Sequence, residues 1–232
     1  ITTAVVLVHG WQTLGGIGKS FNVIFIGDKP IPVLTASPGD NNLVHAQCET
    51  WEQVIHSLKE KPSNAWSVLK QKADFYSFRY DSDDRISRSG TGLVKKLQMH
   101  LGRYENIILV GHSMGGLVSI EAKRKLIQEN IGALDISGIV TLSTPLMGAA
   151  VECIELNNDE TECKDTQAYG LVPLPEFILG TAGTQDLTLA YPEKIFPEKI
   201  FKPFPAPKVY PNPYLTQLWK KVDFEDIYAL FG

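Results

Sequence analysis

One serine of this chain lies where an apolar run turns into a helical pattern. Residues 106–126, NIILVGHSMGGLVSIEAKRKL, place Ser113 between Gly111 and Gly115 in the spacing G-x-S-x-G. A strand-to-helix reversal this tight forces strained backbone dihedrals on the serine and lifts its hydroxyl clear of the sheet. Amides at the start of the helix favour negative charge at that point. The pattern predicts a nucleophilic serine, with a helix-capping serine as the alternative.

A serine that attacks a carbonyl carbon also needs N–H donors for the oxyanion. The amide that follows the nucleophile, here Met114, is one expected donor. The other is expected from the loop after an early strand, which reads VVLVHGWQTLGG. Gly10 would let this loop bend back towards the serine, which makes the Trp11 amide the predicted second donor. His9 is predicted to be a structural, hydrogen-bonded residue rather than a base.

Four short apolar runs are predicted to be the strands that position these residues: 4–8, 74–80, 106–110 and 137–143. All but the second are almost continuously apolar, as expected of strands buried on both faces of a parallel sheet. Four segments between them are predicted to be helical: 49–61, 64–72, 90–104 and 115–130. This alternation predicts an α/β, doubly wound, mostly parallel sheet with its ligand crevice at the carboxyl ends of the strands.

Several motifs resemble those of the lipase and esterase branch of the α/β-hydrolase superfamily. They are VLVHGW, FYSFRYDSDD with SGTGLVKKLQ, ILVGHSMGGLV and TLSTPLMGAA, and the similarity covers residues 4–148. It implies a serine acyl hydrolase with Ser113 as nucleophile and Trp11 and Met114 as oxyanion donors. No cofactor or metal is expected, since metal-ligand spacing such as H-E-x-x-H is absent from the sequence. Three residues would support the loop and the elbow: Gly10, His112 and Gly115. It also implies a lid after the STP strand and the triad order nucleophile, acid, histidine.

The base that would take the proton of Ser113 has no match in the expected position. All five histidines precede the serine: His9, His45, His56, His100 and His112. The resemblance places the base after the last strand, so a base among these five would be non-standard, and His112 is expected to project to the other side. The later candidates for the acid carry no motif: Asp186, Asp223 and Asp226. If residues 224–232 form the penultimate strand, the chain is expected to end before the acid and the histidine.

A long segment after the STP strand lacks a clear period. Seven of the 14 prolines fall between residues 192 and 213, which predicts irregular or polyproline-like chain there. Nine aromatic residues between 169 and 219 nevertheless argue against a disordered linker. We therefore expect a hydrolase core at 1–145, a lid or cap at 146–219 and a return to the core sheet at 220–232. A purely structural excursion is the alternative to a lid.

Two predictions concern the end of the chain. Residues 212–221 are expected to form a short helix. Residues 224–232 are expected to form a fifth strand, although a helix fits them almost as well.

The composition limits the partners. A chain of 232 residues with 44% apolar content can bury one hydrophobic core. Its 22 basic and 26 acidic residues include no basic tract, which argues against nucleic acid as the main partner. No apolar run reaches the roughly 18 residues of a spanning helix. The first residue is Ile1 rather than Met, as expected if a leading segment has been removed.

The cysteines and two further motifs carry little chemistry. Cys153 and Cys163 either close a small loop in an oxidising compartment or remain free thiols, which leans weakly towards an extracytoplasmic location. Residues 15–20 and 81–84 lack the spacing of a phosphate-binding loop and of a calcium loop, respectively.

The predicted function is hydrolysis of carboxylic esters with an apolar acyl group through an acyl-enzyme. The partner would be a small-molecule or lipid ester, with a lipid–water interface as a further partner. An acyltransferase or amidase on the same site is one rival, because the nucleophile does not choose its acceptor. A binding or scaffold protein that keeps the sheet without chemistry is the other.

Overall fold

The computed structural model describes residues 2–10, 25–26, 29–30, 33–35, 71–130, 134–149, 151–160, 162–168, 181–188, 210–221 and 225–230. The chain forms two compact units. The first consists of residues 1–82, 86–144 and 223–232, and the second of residues 83–85 and 145–222.

Six parallel strands form the main sheet of the first unit: β1 (Thr3–Val8), β4 (Val33–Thr35), β5 (Ala73–Arg79), β6 (Asn106–His112), β7 (Ile136–Leu142) and β10 (Ile227–Leu230). Their order across the sheet is β10-β7-β6-β1-β5-β4, and every neighbouring pair is parallel. The interior strand β1 is buried from Ala4 to Val8, which explains its continuously apolar run. Two two-residue strands, β2 (Phe25–Ile26) and β3 (Lys29–Pro30), pair outside this sheet.

Two long helices follow β5 and β6: α1 (Ile86–Leu101) and α2 (Met114–Gln128). Both crossovers run in the same direction across the sheet, so right-handed connections place the two helices on one face. They pack against each other there. α1 begins four residues before the predicted segment 90–104. Gly90 is not the start of the helix but lies within it, where α1 packs against α2: a Cβ at this position would be 2.5 Å from Cγ of Glu121.

The second unit contains an antiparallel hairpin of β8 (Val151–Leu156) and β9 (Cys163–Ala168), and two short helices, α3 (Ala182–Asp186) and α4 (Pro213–Trp219). A disulfide joins Cys153 to Cys163, which decides between the two alternatives for these cysteines. Arg85 ties the hairpin to α3, since its guanidinium lies 3.1 Å from the Glu162 carboxylate and 2.7 Å from that of Asp186.

The predicted strands and the short helix at 212–221 are confirmed, and the tail at 227–230 is a strand rather than a helix. The segment after the STP strand, which has no clear period in the sequence, contains the hairpin and α3. The predicted helix at 49–61 and most of the one at 64–72 lie outside the described residues. None of the described helices combines the length and the apolar character that a bilayer span requires. A lid role for 146–219 stays a prediction.

Candidate active site

Ser113 occupies the turn between β6 and α2 in an unusual backbone conformation. Its φ is 51° and its ψ is −127°, a combination that is costly for any residue with a Cβ atom. Hydrogen bonds hold the residue on both sides. Its N–H donates to the carbonyl oxygen of Leu142 at 2.9 Å, and its own carbonyl oxygen accepts from the N–H of Gly116 at 3.0 Å. The surrounding chain therefore maintains the strained turn that the motif predicts.

The hydroxyl of Ser113 is not used for structure. Ser113 stands at the N-cap position of α2, yet its side chain makes no capping hydrogen bond. It is half-buried, and no residue that the structure describes forms a hydrogen bond with its hydroxyl. The helix-capping alternative therefore does not hold.

Two glycines allow the chain to approach this turn closely. A Cβ at Gly115 would lie 2.3 Å from the carbonyl oxygens of Val8 and His9, so the first turn of α2 rests directly on the end of β1. A Cβ at Gly10 would lie 2.8 Å from Cβ of Ser113. The loop after β1 thus starts against the serine, as an oxyanion loop must. Trp11, the predicted second donor, lies outside the described residues.

Met114 is the first residue of α2, and its side chain is fully buried. The N–H groups of a first helical turn have no intrahelical acceptors, and the helix dipole adds partial positive charge at the same end. An oxyanion formed beside Ser113 would therefore meet amides that favour negative charge. The role of Met114 as a donor stays a prediction.

His9 is a buried structural residue, as the sequence predicts. Its side chain accepts a hydrogen bond at Nε2 from the backbone N–H of Tyr80 at 3.2 Å. The proton is therefore on Nδ1, which donates to the carbonyl oxygen of Gly10 at 2.6 Å. Burial is the main cause that lowers the pKa of His9 to about 4, with a smaller contribution from Arg79. The ring is neutral at pH 7.

The other described histidines do not form a hydrogen bond with Ser113. The ring of His112 lies beside the loop after β1, since a Cβ at Gly10 would be 3.0 Å from its Nδ1, and burial lowers its pKa. His100 lies in the last turn of α1, which leads into the amino end of β6, at the opposite edge of the sheet from Ser113. His45 and His56 lie outside the described residues.

The candidate acids also have other partners or positions. Asp226 immediately precedes β10 and therefore lies at the amino edge of the parallel sheet, away from Ser113, where its carboxylate pairs with Lys123 at 2.6 Å. The carboxylate of Asp186 is buried and pairs with Arg85 in the second unit. Asp223 lies outside the described residues. Among the described residues, no group of three or more histidine, cysteine or acidic side chains could hold a metal ion.

Sequence reasoning missed two residues near the serine. Ser143 directly follows β7, has a φ of 48° and an exposed side chain, and donates its N–H to the carbonyl oxygen of Leu230 at 3.1 Å. Tyr80 follows β5 and contacts His9. The TLSTP motif marks Ser143 in the sequence, whereas no local signal marks Tyr80.

A comparison with protein families agrees with this geometry. Residues 52–162 match the family model of the PGAP1-like alpha/beta domain. The matched stretch includes β5, α1, β6, α2 and β7, and thus the serine turn. The chain has the α/β-hydrolase fold. The resemblance to this superfamily that the motifs indicate is thereby confirmed.

Solved structures similar to this chain include phospholipase PlaB from Legionella pneumophila in complex with thio-NAD. That alignment has a TM-score of 0.45 and 13% identity, and covers 99% of this chain and 37% of the other. A second PlaB structure aligns with a TM-score of 0.45 and 14% identity, and the alignment covers 99% of this chain and 38% of the other. The lipase BlEst2 from Bacillus licheniformis, in propeptide form, aligns with a TM-score of 0.34 and 22% identity. This alignment covers 62% of this chain and 23% of the other. The chain thus spans less than two fifths of the length of these proteins. A comparison with curated proteins gives no match.

Proposed function

We propose that this chain carries the nucleophile and the oxyanion donors of a lipase- or esterase-like serine hydrolase. The observation that carries the proposal is the backbone of Ser113, with a φ of 51° and a ψ of −127° next to a hydroxyl that caps nothing. Strained conformations of this kind persist where the surroundings enforce them, and they concentrate at active sites. The α/β-hydrolase fold supports the proposal because it places this turn at the carboxyl edge of the sheet.

In the proposed reaction, Oγ of Ser113 attacks the carbonyl carbon of an ester while a histidine base takes the hydroxyl proton. The negative charge moves to the carbonyl oxygen, which the amides of Met114 and Trp11 stabilise. The intermediate then expels the alcohol, which takes the proton from the base, and leaves an acyl group on Ser113. Water attacks this acyl-enzyme in the same way and releases the acid. Loss of one oxyanion donor costs about 3 kcal/mol of activation free energy.

The substrate in this proposal is an ester with an apolar acyl chain. The nine aromatic residues between 169 and 219 support it, because a cap rich in aromatic side chains would offer apolar contacts. Activity measured on one ester series from monomeric to micellar concentrations would test an interfacial role. A smooth, saturating curve through the micellar transition would contradict that role while leaving ester hydrolysis intact.

The decisive test is covalent labelling of the natural full-length protein with a fluorophosphonate. We expect one adduct, at Ser113, that is lost in Ser113→Ala. Ser143→Ala is the matched control, because it removes the hydroxyl of a second serine with positive φ among the described residues, directly after β7, and should retain the label. Unlabelled, folded full-length protein would contradict the proposal and favour a binding or scaffold role. If Ser113 is labelled, product analysis with water, alcohol and amine acceptors would separate a hydrolase from an acyltransferase, and amide substrates would reveal an amidase.

A further inference from the structure

We infer that Tyr80 is a positioning residue for the oxyanion loop: it clamps His9 and thereby fixes the His9–Gly10 turn against Ser113. The inference deepens the proposed function and rests on it for its catalytic consequence. The clamp itself is a structural claim about the first unit that can be tested separately.

Tyr80 holds His9 through three contacts of different kinds. The phenol hydroxyl donates to the backbone carbonyl oxygen of His9 at 2.8 Å. The backbone N–H of Tyr80 donates to Nε2 of the His9 ring at 3.2 Å. The two rings stack, with centroids 4.3 Å apart and planes inclined by 12°. Both side chains are buried, at 6% and 4% exposure, so these contacts are shielded from competing water.

The clamp continues from His9 into the peptide that follows Gly10. Because Nε2 accepts from Tyr80, Nδ1 carries the proton and donates to the carbonyl oxygen of Gly10 at 2.6 Å. In a trans peptide the N–H points away from the preceding C=O. Whatever fixes the Gly10 carbonyl therefore also fixes the direction of the next amide, which is the proposed second oxyanion donor.

The clamped segment is also in direct contact with the serine turn. A Cβ at Gly10 would be 2.8 Å from Cβ of Ser113, and a Cβ at Gly115 would be 2.3 Å from the carbonyl oxygen of His9. That carbonyl is the acceptor of the Tyr80 hydroxyl. Tyr80 and the first turn of α2 therefore hold the same peptide from two sides. A phenylalanine at position 80 would keep the ring stacking and the backbone N–H bond to Nε2 of His9, and would lose only the hydroxyl bond to the His9 carbonyl oxygen. This substitution therefore isolates the contribution of the hydroxyl to the clamp.

Tyr80→Phe is the test, with Tyr76→Phe as the matched control. Tyr76 is also buried and lies four residues earlier, but its hydroxyl bonds to the hydroxyl of Tyr104 at 2.7 Å instead of to the oxyanion loop. Hydrogen exchange of the Gly10 amide, followed by mass spectrometry on short peptides, measures directly how often the start of the loop opens. We expect exchange about fivefold faster in Tyr80→Phe and unchanged in Tyr76→Phe.

The catalytic consequence is read from Ser113 in the same full-length proteins. Tyr80→Phe should slow fluorophosphonate labelling roughly fivefold, and with an ester substrate it should lower kcat while KM stays constant, because the oxyanion exists only in the transition state. Equal exchange at Gly10 in the two variants would overturn the clamp. Normal labelling and kcat in Tyr80→Phe would overturn its catalytic role and leave the proposed function standing. Faster exchange in Tyr80→Phe, together with a wild-type protein that never labels, would uphold the clamp and contradict the proposed function instead.

Discussion

Replacing Gly115 by alanine tests the close packing that creates the serine turn. Alanine is preferred to glycine in helices by about 1 kcal/mol, so intrinsic propensity alone predicts that the change stabilises α2. The structure predicts the opposite. The new methyl group would lie 2.3 Å from the carbonyl oxygens of Val8 and His9 and 2.8 Å from the carbonyl carbon of Val8. All three atoms belong to the backbone, so no side chain can rotate away.

The size of the effect follows from these distances. Ordinary contacts of a Cβ atom begin at 3.4 Å, so α2 and the end of β1 must separate by about 1 Å. Overpacking of this kind costs about 1–3 kcal/mol. Because all three contacts are with backbone atoms, we expect the upper part of this range, about 2–3 kcal/mol. After subtraction of the helix preference, Gly115→Ala should lower the free energy of unfolding by about 1–2 kcal/mol. In a chain of this length that corresponds to a fall in Tm of roughly 2–8 °C.

Urea unfolding followed by circular dichroism measures this loss, provided that the slope m stays that of the wild type. Gly102→Ala is the control, because among the described residues its Cβ would meet only the carbonyl oxygen of Gln98, at an ordinary 3.5 Å. This control should be neutral or slightly stabilising. The same shift of α2 should move the Met114 amide and slow labelling of Ser113. If Gly115→Ala unfolds at the same urea concentration as Gly102→Ala, the contact between β1 and α2 is looser than described and the reasoning fails.

Three further predictions concern single side chains. Because burial lowers the pKa of His9 to about 4, from 6.5 when unfolded, the neutral ring contributes roughly 3 kcal/mol of stability above pH 6.5 that is lost as the pH falls to 4. His9→Gln should therefore flatten the dependence of the unfolding free energy on pH in that window, as urea titrations at a series of pH values would show. Arg85→Gln should destabilise the second unit by about 3 kcal/mol, because it removes the guanidinium that pairs with the buried carboxylate of Asp186. Adding Asp186→Asn should recover part of this loss in a double-mutant cycle. Ser113→Gly should be about 1 kcal/mol more stable than Ser113→Ala in thermal unfolding, because only glycine accepts this φ and ψ without strain; equal stabilities would mean that the turn is relaxed.

The parts of the fold that the sequence predicts are those whose signal is local. β1, β6 and β7 are continuous apolar runs because both faces of an interior parallel strand are covered, and no partner needs to be known to recognise them. The serine turn is equally local, since its two glycines and the serine lie within five residues.

The parts that the sequence does not predict depend on distant partners. β8 and β9 are short strands rich in charged residues, and their hairpin is held by a disulfide and by Arg85, which is 77 residues away from Glu162. The contact of Tyr80 with His9 joins residues 71 positions apart. α1 begins earlier than predicted because Gly90 is buried against α2, where a glycine is a packing requirement rather than a helix end.

The candidate site shows the same division between local and distant signals. A motif identifies Ser113, but neither a local pattern nor a described contact identifies the base, because a triad is defined by geometry across the fold. What the structure adds is the cost of the serine turn. A scaffold that needed only a reversal from β6 to α2 would be more stable with glycine at position 113, since serine there stores strain of about 1–3 kcal/mol. The hydroxyl does not offset this strain through a capping hydrogen bond, because it makes none. A strained serine whose hydroxyl makes no hydrogen bond within the described structure supports the proposed hydrolase over a scaffold role.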